Sequence, residues 1–298
     1  RAGIEVLEAG GGNGGETETA RLTALAPELG RAGLKRLAVQ HQPDTRIHVV
    51  RSDGTAAVLI SDPAENVRCW IEIETDGVIE DVVVMPSAEE DAVYYTVRRF
   101  ADGGARRCHE RWALERECRG GALNLQADSF VVHSGAAASQ ISGLTHLEGE
   151  EVVVWADGSE RARQTVADGK VAISGAPAKA AMAGLPYEAR YRSIKLAYGA
   201  RKGTALMQPK RVNRLSFLLA DVHADGVRFG PDFANLTPLP AKPAFAAVDP
   251  DTVFAEYDFD GAPFGGAWTT DARVCLRAEA PKPVTVLALA IDLETVER

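Results

Sequence analysis

Short runs of strand-forming residues, parted by turn dipeptides and seldom long enough for a helix, set the limits on what this chain can become. Asp-Gly stands between such runs at 53–54, 76–77, 102–103, 157–158, 168–169 and 225–226. A tight two-residue turn needs backbone at positive φ, which Gly adopts freely and Asp tolerates, so these pairs mark places where a chain doubles back. Residues 36–40, 46–51, 56–60, 68–75, 79–85, 92–100 and 105–112 read as successive strands. Their spacing of roughly ten residues suits a sandwich, barrel or propeller. Of 298 residues 46% are apolar and 25% charged, a globular balance that argues against wholesale disorder. The expected class is all-β and multi-domain, with propeller-like or meander blades followed by small barrel or sandwich domains.

The chain divides into four expected stretches. Residues 1–35 hold a glycine run at 10–15, read as a linker or loop tip, and a short helix over 17–29, where Leu22, Leu25 and Leu29 are spaced by three and four around Pro27. Residues 36–140 are a meander β-domain with an echo of a four-stranded propeller blade, too few units to close a propeller unless the rest lies elsewhere. Within it, 113–121 is one helical turn or a crossing loop, 130–133 a short strand and 135–139 a small-residue linker. Residues 141–192 form a compact β-domain built on Leu147, the run Val152 to Trp155, Val166, Val171, Ile173, Met182 and Leu185. Residues 193–298 form the last domain: a strand over 193–198, a basic loop at 201–210 and an alternating strand over 211–219 whose pattern slips by one midway. The six prolines from 231 to 263 predict an irregular surface excursion, suited to contact with a neighbouring subunit. Strands at 272–278 and 284–293 predict a closing hairpin, its last strand apolar on both faces and therefore buried between layers.

A net charge of −9 argues against a free-standing nucleic-acid binder that neutralises phosphates, while leaving room for a wall along which a polyanion slides. Cys69, Cys108, Cys118 and Cys275 form no Cys-x-x-Cys pair and are too sparse for a disulfide framework, so reduced and mostly buried thiols are expected. No apolar run approaches twenty residues, and no membrane span is expected. The chain begins at Arg1, which reads as the start of a processed protein or of part of a longer polypeptide.

Within the 141–192 stretch the order Gly143, Leu144, His146, Leu147, Glu148, Gly149, Glu150, Val152, Val154, Ala156, Asp157, Gly158, followed by Gly184, Leu185, Pro186 and Tyr187, resembles the tail nozzle proteins of short-tailed bacteriophages, also called tail tubular or tail hub proteins. Further likeness lies at 93–99 and 110–112, in Phe-Gly-Pro-Asp-Phe-x-Asn-Leu at 229–236, in Phe-x-Gly-x-Trp at 264–268, and at 271–277 and 281–288. It covers roughly 35–298 and corresponds to the C-terminal portion of that family. The resemblance implies a structural virion protein in the phage tail, assembled in the host cytoplasm. It further implies a homo-hexameric ring stacked on an upstream tail-ring protein, docking fibres or spikes and passing genomic DNA without sequence specificity. It implies no enzyme activity, catalytic residue, cofactor or metal.

The residues themselves offer a few candidate sites, each with a plain structural reading beside it. Asp249, Asp251, Glu256, Asp258 and Asp260 with Gly261 form an acidic cluster that suggests a calcium loop without EF-hand spacing, or solvated carboxylates. Cys108, His109, Cys118 and His133 make an imaginable zinc set with no knuckle spacing. His146, Glu148 and Glu150 would share a face if strand-borne, offering acid–base groups. His41 and His48 lie on expected strands and read as structural. Arg190, Arg192, Lys195, Arg201, Lys202, Lys210, Arg211 and Arg214 are the one local basic excess, for DNA phosphates, an acidic neighbour or solvent. Trp70, Trp112, Trp155 and Trp268 carry the alternative reading, a carbohydrate-binding or glycan-hydrolysing β-protein of a tail tip. A cellular propeller-type interaction module is the third.

Overall fold

Every long element among the described residues is a strand, and the helical turns are 3₁₀ pieces of three or four residues. The computed structural model describes residues 7–11, 17–23, 26–62, 67–101, 104–197, 199–200, 203–240 and 251–296. The chain falls into two units, Arg1–Leu114 and Glu115–Arg298.

In the first unit β1 (Leu7–Gly11) pairs antiparallel with β2 (Thr17–Arg21). This corrects the helix expected over 17–29. Residues 17–21 are strand, and Pro27 opens a 3₁₀ turn, Pro27–Gly30, where a missing N–H costs nothing. Gly10 and Gly11 belong to β1 and not to a linker, while residues 12–16 and Leu25 lie outside the described residues.

Next come β3 (Leu34–Gln40), β4 (Thr45–Arg51), β5 (Ala56–Asp62) and β6 (Val67–Ile73), one antiparallel meander, and β7 (Val78–Met85), β8 (Ala92–Ala101) and β9 (Gly104–Arg111), a second. All seven expected strands are present, each end within two residues of the sequence reading. Asp53-Gly54 closes the β4–β5 hairpin with Gly54 at φ +88°. Asp76-Gly77 instead carries the chain from one sheet to the other, and Asp102-Gly103 lies outside the described residues. The two meanders share one core, in which Val50 and Ala56 meet Ile79, Val82, Val93, Tyr95 and Val97.

That core contains His48, 1% exposed, whose Nδ1 and Nε2 bond Tyr95 Oη at 2.7 Å and Gln40 Oε1 at 3.0 Å. Burial, reinforced by the Arg46 charge, lowers its pKa to about 4, so the ring is neutral at pH 7. Unfolded imidazole binds a proton near pH 6.5 while the folded ring resists until about pH 4, so acid favours the unfolded state across that window. This residue is expected to remove about 2–4 kcal/mol of stability from the first unit between pH 7 and pH 4, with no further loss below. Urea unfolding across that range should show a shallower pH slope in His48→Asn than in the native chain.

The second unit starts with a 3₁₀ turn, Glu115–Glu117, and then β10 (Asp128–Ala138), β11 (Gln140–Ser142), β12 (Glu151–Ala156), β13 (Ser159–Thr165), β14 (Lys170–Ala172) and β15 (Ala178–Leu185). Four of them form a sheet in the order β10-β15-β12-β13, and β11 pairs with β14. The sequence reading places a boundary near 140. The two units meet instead after Leu114, because β10 hydrogen-bonds to β15 and so belongs to the second unit. The 130–133 strand is correspondingly longer, and the expected linker at 135–139 is largely its continuation, bent by a register shift between Ser134 and Ala138.

The remainder comprises β16 (Glu188–Arg192), β17 (Gly199–Ala200), β18 (Gly203–Thr204), β19 (Lys210–His223), β20 (Val227–Asp232), β21 (Asn235–Pro238), β22 (Val253–Pro263), β23 (Cys275–Glu279) and β24 (Thr285–Thr295). They assemble as β16-β23-β20-β21, β22-β19-β24 and the small pair β17-β18. Val212, Leu215, Phe217, Leu219, Phe229, Tyr257 and Phe264 fill the core of this region.

Four expectations change here. Residues 193–197 are irregular, with Ile194 83% exposed, and the strand lies just before them as β16; Tyr198 is outside the described residues. The described part of the 231–263 stretch is no irregular excursion, since it carries the end of β20, β21 and the eleven-residue β22, with Pro231, Pro238 and Pro263 inside those strands, while residues 241–250 lie outside the described residues. Strands β23 and β24 lie in different sheets and make no hairpin. Finally, β24 is not buried between layers: Leu289, Ile291 and Leu293 pack on the core while Ala288, Ala290, Asp292 and Glu294 face outward. The slip in the β19 pattern is a bulge at Asn213, between the pairs Val212↔Leu293 and Arg214↔Asp292. Among the described residues no helix is long and apolar enough to cross a membrane.

Candidate functional site

The segment from Gly143 to Tyr187 contains a set of turns pinned by carboxylates. Asp157 (φ +47°) and Gly158 (φ +94°) link Ala156 to its partner Ser159, and Asp168 (φ +52°) and Gly169 (φ +67°) link Ala167 to Lys170. Two consecutive positive-φ residues match the right-handed twist of the flanking strands, which is why Asp-Gly was informative at both places. Asp157 accepts the N–H of Ala180 at 2.9 Å and of Lys179 at 3.1 Å, and these bonds hold its carboxyl below the ordinary range. Glu148 accepts the N–H groups of Asp168 at 2.8 Å and Gly169 at 2.7 Å. The motif's acids therefore tie one turn to another strand or turn.

Its apolar and glycine positions are equally committed. Leu144, Leu147, Val152, Val154 and Ala156 lie in the core of this sheet. Gly184, on β15, is crossed closely: a Cβ there would stand 2.8 Å from Asp128 O and from Phe130 Cβ, and 2.9 Å from Ala127 Cβ. With backbone among the obstacles, Gly184→Ala is expected to cost about 1–3 kcal/mol through displacement of the start of β10. Thermal unfolding of the variant, against Gly149→Ala where no atom lies within 4 Å but φ is +82°, separates crowding from backbone strain.

His146, Glu148 and Glu150 do not share a strand face. Thr145–Leu147 is a 3₁₀ turn with Glu148 at its end, and His146 Nε2 bonds Ser129 O at 3.3 Å. The acidic cluster is also rearranged. Asp249 lies outside the described residues and Asp251 stands before β22. Glu256, Asp258 and Asp260 form one exposed row along that strand, with Asp260 accepting the Ser216 hydroxyl. Cys108 and His109 lie in the first unit and Cys118 and His133 in the second. His109 meets Thr96, and His133 bonds Ala136 O. Among the described residues no group of three or more His, Cys, Asp or Glu is placed to hold a metal ion. Of the four cysteines Cys275 alone is buried, Cys108 and Cys118 are half-buried and Cys69 is exposed, which corrects the expectation of mostly buried cysteines. His41 lies just past β3, not on it, and donates its backbone N–H to Asp91.

The basic stretch dissolves as a loop. Arg190 and Arg192 are on β16, Arg211 and Arg214 on β19, and Arg201 and Lys202 lie outside the described residues. Arg190 bonds Glu188 and sits over the Phe233 ring. Lys210 is wholly buried, its ammonium donating to the carbonyl oxygens of Ala205 (2.8 Å), Leu206 (3.1 Å), Gln208 (3.1 Å) and Thr270 (3.3 Å). Three of the tryptophans serve packing: Trp155 is wholly buried, Trp112 packs on the first core, and Trp70 donates to Leu22 O. Trp268 is exposed.

Sequence reasoning did not anticipate the seam inside the second unit. There the Trp155 indole N–H donates to Gly121 O at 2.9 Å and its ring meets His223 edge-on, centroids 6.1 Å apart. Lys282 bridges Asp225 at 2.8 Å and Glu160 at 3.5 Å beside them. Burial, with the Lys282 charge nearby, lowers the His223 pKa and keeps the ring neutral. A Trp in a valine run and a His at a strand end carry no local mark of their partnership. No protein-family model matches this sequence, and no curated protein matches it either.

Proposed function

We propose that this chain is a structural virion protein, the nozzle ring at the end of a short-tailed phage tail. The observation that carries the proposal is the motif running from Gly143 to Gly158 and closing at 184–187, whose residues define a fold element instead of a reactive centre. Glu148, one of the acid–base candidates, and Asp157, the acid of a motif turn, are engaged by backbone amides. The several small sheets with open edges suit a protein whose work is assembly, since an unpaired edge accepts another chain. In this reading copies of the chain form a homo-oligomeric ring, hexameric in the family it resembles. The ring docks on an upstream tail-ring protein, receives fibres or spikes, and passes genomic DNA through its lumen without reading its sequence. The acidic balance of the chain suits a conduit that must not retain a polyanion.

Negative-stain electron microscopy and light scattering of the purified chain, alone and with an upstream tail-ring protein, test the proposal. Closed rings with a central opening are the expected result. A chain that stays monomeric in both preparations, or that degrades or captures a polysaccharide, would count against it.

A further inference from the structure

The outer edge of β24 has the properties that folded proteins usually suppress. It is eleven residues long, ends the sheet β22-β19-β24, and contains no Lys, Arg or Pro between Thr285 and Thr295. Val286 and Leu287 are 41% and 59% exposed. The other long edges of the second unit carry the usual protections. Strand β22 bears Glu256, Asp258 and Asp260 and ends at Pro263, β13 bears Glu160, Arg161 and Arg163, and β10 is interrupted by a register shift. Past its own bulge near Leu287, β24 presents Ala288, Ala290, Asp292 and Glu294 in regular alternation. Small side chains over an open ladder favour a second strand, and the two carboxylates call for cations on it.

We infer that β24 is a subunit-pairing edge, covered in the assembled protein by β9 of a second copy of this chain. Strand β9 ends the other exposed sheet, β7-β8-β9, and carries Arg106, Arg107 and Arg111. In one antiparallel register Asp292 stands opposite Arg107, Ala290 opposite His109 and Ala288 opposite Arg111, with Glu294 diagonal to Arg107. No two like charges face each other in that register, whereas the acidic edge of β22 would set carboxylates against Asp292 and Glu294. Arg107 already meets Glu80 at 2.6 Å on its own sheet, so its guanidinium is oriented on the outer face that Asp292 would join. Pairing β24 of one copy with β9 of the next is head-to-tail, which closes into a ring or runs on as a filament according to the rotation between copies. The inference goes beyond the conduit proposal, since it holds for any such assembly.

The test is a charge swap in the full chain, read by sedimentation velocity. Asp292→Arg and Arg107→Asp are each expected to weaken self-association roughly tenfold, and the double variant to restore it. Amide hydrogen exchange of the native chain supplies a reading without any variant. Amides in 288–294 and 105–111 should gain protection together as the concentration rises. Self-association indifferent to Asp292→Arg, weakening that the swap does not repair, or protection that leaves either strand unchanged would each overturn the inference. So would a chain that stays monomeric at every concentration. Filaments that obey the swap would uphold the edge and refute the nozzle ring; rings that ignore it would do the reverse.

Discussion

Trp155→Ala is expected to cost the second unit about 3–5 kcal/mol, the range for truncating a fully buried large aromatic. The ring has no exposed surface and sits on β12, between its strand neighbours Glu160 and Met182. Truncation removes three things together: the packing volume, the indole N–H that satisfies Gly121 O, and the face against His223. The surroundings cannot collapse cheaply, because His223 is fixed by its own backbone bond to Pro283 O and by the Asp225 N–H on its Nδ1. Its Nε2 already lacks a hydrogen-bond partner, so a cavity beside it would admit water. Trp155→Phe keeps most of the volume and loses the donor, for an expected loss of about 1–2 kcal/mol. Urea unfolding followed by far-ultraviolet circular dichroism gives both numbers. A loss in Trp155→Ala no larger than in Trp155→Phe would mean that the ring's volume contributes little.

Lys210→Met is the second large effect, with an expected loss of about 2–4 kcal/mol. Methionine reproduces the stem and withdraws the ammonium, leaving up to four carbonyl oxygens to find other partners. Ala205 O retains the Gln208 N–H, but Gln208 O and Thr270 O face an apolar tip, and an unsatisfied buried acceptor costs about 1–3 kcal/mol. Part of that is offset because no charge need then be buried; burial and the charge of Lys195 already lower the Lys210 pKa, against the pull of Asp271. The variant should loosen the 3₁₀ turn Ala205–Met207 and its tie to Thr270 before it unfolds the sheet. Hydrogen exchange at Gln208, whose N–H bonds Ala205 O, and at Lys210 and Thr269, whose backbones bond each other, reports that loosening locally. Unaltered exchange at those sites would show the ammonium to be dispensable.

Both residues show where the sequence was silent. A lysine reads as surface, and the carbonyl that completes its cage belongs to Thr270, sixty residues further along. Trp155 reads as one more apolar residue in a strand, while its partners Gly121 and His223 come from a connector and from another sheet. By contrast, strands β3 to β9 of the first unit and both Asp-Gly turns of the motif were legible, since alternation and positive-φ tolerance are local properties. Strands β13 and β16 were not, for their side chains are polar and exposed, and only pairing with β12 and β23 makes them strands. The prolines from 231 to 263 hid β22 because their density suggested a broken chain, whereas the proline within that strand, Pro263, is its last residue. The closing strand misled in the other direction. Ala288 and Ala290 count as apolar yet face outward, so an apolar run suggested burial where there is an open ladder.

The irregularities along β19 bear on how this protein tolerates changes of length. Asn213 is an extra residue against β24, and across the sheet Asp260 and Gly261 together stand against Ser216, with Gly261 at φ +72°. The central strand is thus two ladders spliced out of phase, Val212 and Leu215 both reaching the core across an odd gap. A codon deleted at Asn213 would erase the offset and restore strict alternation against β24, leaving Lys210, Val212, Leu215, Phe217 and Leu219 all on the core side. The same deletion at Ser216, within the regular part, would set Leu215 beside Phe217 and turn Leu215 outward while Phe217 stayed in place. The assignment of residues to faces, more than the identity of any one of them, sets which changes of length this strand tolerates.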